Sequence, residues 1–124
     1  MRRRAKPKGA RMRVLVANQP RSYREAIALV LRHARPELEM TALAPDELDD
    51  ELEREPADLV VCSRATAAVR SLVGSWVELY PENRAVAHAC VAGETRLVVD
   101  PDLGGLLAIV DAVAALDDKD TPAT

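Results

Sequence analysis

The sequence contains few aromatic residues and few cysteines. It has no phenylalanine, one tryptophan and two tyrosines among 124 residues, so its core has to be built from Val, Leu, Ile and Ala. The two cysteines, Cys62 and Cys90, lie inside apolar runs, which favours buried thiols in a reducing compartment over a disulfide framework. We expect their strands to be neighbours, so that a thiol oxidation switch is a minor alternative.

Long hydrophobic segments are also absent. No apolar run approaches the roughly 20 residues that a membrane-spanning helix needs. The basic N-terminus is not followed directly by the apolar stretch and cleavage site of a secretory signal. Since 124 residues are enough for one core, we expect a single cytoplasmic domain.

Basic residues are concentrated at one end of the chain. Residues 1–13 carry seven Lys and Arg and no acid, although the whole chain has a formal net charge of −3. The remaining ten basic residues face all 20 acidic ones, so the rest of the chain is near −10. We predict a flexible basic arm over residues 1–11, a folded domain over residues 12–117 and a polar tail over residues 118–124. The arm is either a terminus without a role or a segment that docks on nucleic acid.

The apolar pattern alternates between the periods of strands and of helices. Short runs rich in β-branched residues predict five strands, at 12–18, 38–44, 57–63, 85–91 and 95–99. Helical spacing predicts a helix after each of the first three strands and a last helix that ends at Leu116. The apolar side of the third predicted helix is formed by Val69, Leu72, Val73, Trp76 and Leu79. This alternation indicates an α/β fold, with a mostly parallel sheet between two layers of helices.

Two local signals concern how the elements are joined. Ser22 and Glu25 have the spacing of a capping box at the start of the first helix. Only Ala92, Gly93 and Glu94 separate the last two strands, and a parallel crossover needs about a dozen residues. We therefore predict a hairpin, in which the fifth strand runs antiparallel to the fourth.

Three segments resemble one known family. They are RVLVANQP (13–20), PADLVVCS (56–63) and VVDP (98–101), which resemble the first, third and fifth strands of the receiver domain of bacterial response regulators. The resemblance runs from Arg13 to Leu116. It implies a three-layer flavodoxin-like, doubly wound sheet with strand order 2-1-3-4-5, in which the family's fourth helix is missing here. It also implies a role in two-component signal transduction, with a protein partner from a bacterial signalling pathway.

The residues that carry the family's phosphoryl chemistry are replaced. The family needs two acidic residues for a divalent metal, an aspartate as phosphoryl acceptor, a hydroxyl residue and a lysine. The corresponding positions hold Asn18 and Gln19, Ser63, Ala89 (with Cys90 as the alternative) and Asp100. Neutral amides are poor Mg²⁺ ligands, a serine without a general base is a weak nucleophile, and Asp100 would repel phosphate. We therefore expect a pseudo-receiver with no catalytic residue, no metal and no cofactor.

Other candidate sites have weaker support. Asn18, Ser63, Arg64 and Thr66 could form an anion pocket at the carboxyl edge of the sheet, which would make the domain a small-ligand sensor. Neither His33 nor His88 has a second ligand at metal spacing. No pair of nucleophile and base is visible, so an enzyme is the least expected class.

The leading hypothesis is a phosphorylation-independent module for binding protein. The fifth strand is apolar and β-branched, and the last helix has only one charged residue between 106 and 116. Candidate interface residues are Leu97, Val99, Ile109 and Val113, with either a homodimer or another protein as partner. The alternatives are the ligand sensor and a nucleic-acid adaptor that uses the basic arm. We expect no membrane association.

Overall fold

The computed structural model describes residues 12–81 and 84–120 of the chain. These residues form an α/β fold, as predicted, with six strands and four helices. The strands are β1 (Arg13–Ala17), β2 (Glu39–Ala42), β3 (Leu59–Cys62), β4 (Trp76–Leu79), β5 (Val86–Val91) and β6 (Glu94–Val99). The helices are α1 (Arg21–Ala34), α2 (Pro45–Arg54), α3 (Ala67–Leu72) and α4 (Leu103–Asp120).

The six strands form one mixed sheet in the order β2-β1-β3-β4-β5-β6. The first four strands in this order run parallel to one another. Strand β5 is antiparallel to β4, and β6 is antiparallel to β5. Side chains of α1 and α4 pack with one face of the sheet, and those of α2 and α3 pack with the other face. The strands β1, β3 and β4 are therefore buried on both faces, which explains why all of their residues except Arg13 and Glu78 are apolar.

The prediction of a third helix that reaches Leu79 was wrong. Helix α3 ends at Leu72, and Trp76–Leu79 forms β4 between β3 and β5. Gly74 interrupts the helical pattern, and Val77 and Leu79 then alternate with the other two residues of the strand at period two. The extra strand β4 pairs with β3 on one side and with β5 on the other, so it provides backbone hydrogen-bond partners to both. The sheet thus has six strands rather than five, and the predicted order 2-1-3-4-5 becomes 2-1-3-4-5-6.

The inserted strand also changes the relation between the two cysteines. Cys62 lies on β3 and Cys90 on β5, with β4 between them. Two strands apart corresponds to about 9–10 Å, which exceeds the reach of a disulfide between Cα atoms. The expectation that these strands are neighbours was wrong, and the two thiols cannot form an intramolecular disulfide in this fold.

The predicted hairpin is confirmed. Strands β5 and β6 pair antiparallel from Val86↔Val99 to Val91↔Glu94, so Ala92 and Gly93 form a two-residue turn. Both turn residues have positive φ, 51° at Ala92 and 85° at Gly93, which is the conformation that hairpin twist favours. The sequence also predicted that no helix joins the last two strands. Over residues 84–120 the structure agrees, because α4 is the first helix in that range and follows β6.

The ends of two helices differ from the predictions. Helix α1 begins at Arg21 after Pro20, which has no side-chain cap, and Glu25 pairs with Arg21 instead of closing a capping box with Ser22. Helix α4 continues past the predicted end at Leu116 to Asp120. Asp and Lys do not stop a helix, and the next breaker in the sequence is Pro122. The predicted tail at 118–124 is therefore helical in its first three residues.

The predicted basic arm at 1–11 and residues 121–124 lie outside the described residues. Within the described part of the chain, no helix is long and apolar enough to cross a membrane.

Candidate functional site

The carboxyl edge of the parallel strands brings together three of the residues predicted from the sequence. Ala17 of β1 pairs with Cys62 of β3, so Asn18 and Ser63 follow side by side at the same edge. The backbone N–H of Gln19 donates a hydrogen bond of 2.9 Å to Ser63 Oγ. The structure thus brings Asn18, Gln19 and Ser63 together at this edge.

This group of residues does not fit a divalent cation. The side chain of Asn18 is fully buried, and neither its Oδ1 nor its Nδ2 has a hydrogen-bond partner among the described residues. Ser63 Oγ already accepts from the Gln19 amide, and the group contains no carboxylate. A hard cation such as Mg²⁺ is usually held in proteins by one or two carboxylates together with water. In the described residues as a whole, no set of three or more His, Cys, Asp or Glu could hold a metal ion.

The loop between β3 and α3 uses its polar groups internally. Thr66 Oγ1 donates to Asp49 Oδ1 at 2.7 Å and accepts from the Val69 amide, which caps α3. The Ala65 amide donates to Glu78 Oε2 at 2.8 Å. Of the four residues of the predicted anion pocket, Asn18, Ser63, Arg64 and Thr66, only the exposed Arg64 is charged. The carboxylates of Asp49 and Glu78 border this group, and so do two guanidinium groups, since Arg24 donates to the Asn18 carbonyl at 3.5 Å and Arg70 to the Ala65 carbonyl at 3.3 Å. The border of the predicted pocket therefore carries charges of both signs.

A second polar cluster lies on the opposite side of β4 from α1 and α4. Glu78 is nearly buried, and its Oε1 lies 3.0 Å from His88 Nδ1 on β5. The guanidinium of Arg70 lies 3.9 Å from Glu78 Oε2 and 4.6 Å from the ring centre of Trp76. Glu78 therefore links the parallel strands, the loop before α3 and the hairpin through charge-assisted contacts.

The thiol next to this cluster is not a nucleophile. Burial raises the pKa of Cys62 to about 12, and the nearby charge of Glu78 acts in the same direction. The Sγ atom lies 3.6 Å from the carbonyl oxygen of Val77. Because the thiolate is the reactive form, Cys62 stays protonated and inert near neutral pH.

Two of the predicted phosphorylation-site positions lie away from Asn18 and Ser63. Ala89 is buried in the middle of β5, which runs antiparallel to β4, so it does not lie at the carboxyl edge. Asp100 follows β6, two strands beyond β4, where its amide donates to the Ala85 carbonyl. The assignment of the run 85–91 to a parallel fourth strand placed Ala89 wrongly, because that strand is β4 and ends before Tyr80.

The four predicted interface residues divide into two pairs. Leu97 and Val99 of β6 are 57% and 66% exposed. Ile109 and Val113 of α4 pack in the core against the sheet, together with Leu106 and Val110. The apolar character of α4 is thus explained by the fold of this chain, and only Leu97 and Val99 remain available to a partner.

Sequence reasoning missed Glu78, Tyr23 and Tyr80 as site residues. Glu78 was assigned to the third predicted helix. In a helix, the period-two alternation of Glu78 with Val77 and Leu79 does not place Glu78 on a separate face. In comparisons with known proteins, no family model, no curated protein and no solved structure matches the chain.

Proposed function

We propose that this chain is a receiver-like domain of the flavodoxin-like type that no longer takes a phosphoryl group and acts by binding protein. The partner that its surface fits best is a second copy of the chain. Two groups of observations support the proposal. The first is the chemistry of the carboxyl edge, and the second is the uncovered surface of β6, which carries the proposal.

The carboxyl edge supports the loss of phosphoryl transfer. Four parallel strands in the order 2-1-3-4 with helices on both faces agree with the receiver resemblance. At this edge, however, Asn18 is neutral and fully buried, and Ser63 Oγ is occupied by a backbone amide. Transfer to an acceptor needs charges that neutralise the phosphoryl group, and neither residue supplies one.

Strand β6 is one of the two edge strands of the sheet and is largely exposed. It pairs with β5 on one side only, and its pairing over six residues is regular, without proline or bulge. Helix α4 covers one face of the hairpin through Ala87 and Ala89. The other face of β6, which we call the open face, carries Leu97 and Val99 and is not covered by any helix of the described residues. An unprotected, apolar edge strand is a template for pairing with another strand.

The sequence of β6 suits antiparallel pairing with itself. A two-fold axis at Leu97 sets Leu97 opposite its copy and Thr95 opposite Val99, all on the open face. On the other face Arg96 then lies opposite Val98 and diagonal to both Asp100 and Arg96 of the second copy. No like charges are directly opposite between 95 and 99 in this register, whereas Glu94 lies opposite Asp100 of the second copy at each end of the paired strands. A shift of the axis to Arg96 would set two arginines opposite each other, which is unfavourable.

Sedimentation velocity over a wide range of concentrations tests the proposal. We expect a concentration-dependent dimer, and Leu97→Lys should leave a monomer because it adds a charge at the centre of the paired strands. Leu29→Lys is the matched control, since Leu29 of α1 is 67% exposed and lies away from β6. It should sediment like the unmodified chain. Acetyl phosphate with Mg²⁺ should change neither the mass of the protein nor its assembly.

Three results would contradict parts of this proposal. A chain that stays monomeric at every concentration would exclude self-pairing. Equal effects of Leu97→Lys and Leu29→Lys would move the interface away from β6. A stable phosphoryl group on Ser63 would show that the carboxyl edge is still reactive.

A further inference from the structure

A cavity of about 240 Å³ opens at the carboxyl edge of the sheet, between α1 and the start of α4. It lies on the face of the sheet opposite to Glu78 and His88. Its lining is almost entirely apolar or aromatic, and the exposed Ala26, Val30 and Leu103 belong to it. The complete lining consists of Tyr23, Ala26, Ile27, Val30, Leu79, Tyr80, Pro101, Asp102, Leu103 and Leu106. Apolar surface that stays in contact with water in a concave site is stabilised when a ligand covers it.

Two tyrosine rings form one wall of the cavity. The rings of Tyr23 and Tyr80 are 5.9 Å apart between centroids and are inclined by 48°. Tyr80 is held from two sides, because its amide donates to the Val86 carbonyl and its hydroxyl donates to the Pro101 carbonyl. It also has a φ of 51°, which is uncommon for a bulky residue and occurs at binding sites more often than elsewhere. Burial raises the pKa of Tyr23 to about 12, so its hydroxyl stays neutral.

The charge of the lining is negative. Asp102 is the only charged residue of the ten that line the cavity, and it is exposed at the start of α4. Its Oδ1 accepts a hydrogen bond of 2.8 Å from the Gly105 amide. This carboxylate neutralises the positive end of the helix and so disfavours an anion there. A cation gains from the carboxylate and from the faces of the two tyrosines.

We propose that this cavity binds a small aromatic amine, with the ring against Tyr23 and Tyr80 and the ammonium group at Asp102. A cavity of roughly 150 Å³ holds one benzene ring. The larger volume here therefore accommodates one ring with a short cationic chain. This site is separate from the β6 surface, so its test does not depend on self-association.

Three probes of similar size and different charge separate the contributions of ring and charge. NMR titration of the full chain should show that 2-phenylethylamine binds about fivefold more tightly than 2-phenylethanol, as expected for one exposed ion pair. Phenylacetate should bind most weakly. The resonances that shift should belong to Tyr23, Tyr80 and Leu103. Absence of amine binding, or equal binding of amine and phenylacetate, would overturn the proposal.

A charge variant tests the assigned position of the ammonium group. Asp102→Asn should reduce the affinity for the amine to that for the alcohol and leave the alcohol unchanged, because Asn caps a helix as well as Asp does. Asp100→Asn is the matched control, since Asp100 is exposed nearby but does not line the cavity. If both variants reduce amine binding equally, Asp102 does not hold the ammonium group.

A filling variant tests the cavity itself. Ala26→Leu adds bulk at the exposed mouth and should abolish binding of both amine and alcohol. Ala108→Leu makes the same change on the exposed side of α4, outside the lining, and should bind like the unmodified chain. Thermal melting of both variants verifies that they are folded. Retained binding in folded Ala26→Leu would show that the ligand lies elsewhere.

Discussion

The parallel part of the sheet and the β5–β6 hairpin are adjacent but differ sharply in burial. Every residue of β1, β3 and β4 is buried, because helices cover both faces of these strands. In β6, five of six residues are exposed and only Val98 is half-buried. Both parts contain Val and Leu, but the first half of β6 is polar, with Glu94, Thr95 and Arg96. The difference in burial therefore comes from the helix layers around the strands together with these polar residues.

This contrast separates the part of the molecule that carries stability from the part that is free to bind. Apolar side chains between two helix layers lose nearly all contact with water, which is the main source of folding free energy. The apolar residues on the open face of the hairpin lose little contact with water on folding, so they contribute little to the stability of the fold. Apolar residues that are exposed to water and contribute little to stability are candidates for an interface.

The largest expected effect compares one leucine from each part. Leu59→Ala in β3 removes a fully buried side chain and should lower the free energy of unfolding by about 3 kcal/mol. Leu97→Ala in β6 removes a side chain that is mostly exposed, and should change it by less than about 0.5 kcal/mol. Urea denaturation at low protein concentration, where self-association is weak, provides both values. Equal losses would mean that the hairpin is as firmly packed as the parallel strands.

A smaller effect is expected where the parallel strands are joined to α2. The guanidinium of the buried Arg13 pairs with Glu51 and donates to the carbonyl oxygens of Glu55 and Pro56. Arg13→Met keeps the apolar stem but leaves these acceptors without their donor, and should cost about 2 kcal/mol.

Arg54 provides the matched control for Arg13. It also pairs with Glu51, but its side chain is 74% exposed, so Arg54→Met should cost much less stability than Arg13→Met. Urea denaturation of both variants measures the difference. Losses of equal size would show that burial of Arg13 does not strengthen its contacts.

The sequence predicted the elements whose pattern has only one interpretation. The strands around residues 13–17, 59–62 and 95–99 were predicted because apolar runs and a connection of only three residues between the last two strands leave no alternative. Trp76–Leu79 was misassigned because four residues after a short helix fit both periods, and only the strands on either side decide between them. Length does not separate the two periods either, because α3 has only six residues and strands of that length are common.

Candidate site residues could be predicted only where their position depends on the strand next to them in the sequence. Asn18 and Ser63 were expected together because each directly follows a parallel strand of the same sheet. Ala89 and Asp100 were misplaced because their positions depend on how many strands come between, which β4 changed. The contact between Tyr23 and Tyr80 joins residues 57 positions apart and has no signal in the sequence.

The smallest expected effect concerns the turn of the hairpin. Ala92 is exposed and has a φ of 51°, which costs an alanine energy that asparagine largely avoids. Asn-Gly is the preferred pair for a two-residue turn with positive φ at both positions. Ala92→Asn should therefore raise the free energy of unfolding by about 0.5–1 kcal/mol. The hydrogen bond from the Ala92 amide to Ser75 Oγ involves only the backbone of residue 92, so the substitution keeps it.

The neighbouring turn residue supplies the opposite change for comparison. Gly93 has a φ of 85° and no atom within 4 Å of the position that a Cβ would take, so Gly93→Ala introduces backbone strain without a clash. It should lower the free energy of unfolding by about 1 kcal/mol. Urea denaturation of both variants therefore yields shifts of opposite sign. A loss of stability in Ala92→Asn would mean that the turn differs from the one described, and the register of β6 would then be in doubt. Because that register aligns Leu97 and Val99 on the open face, this small effect also tests the surface on which the proposed self-pairing depends.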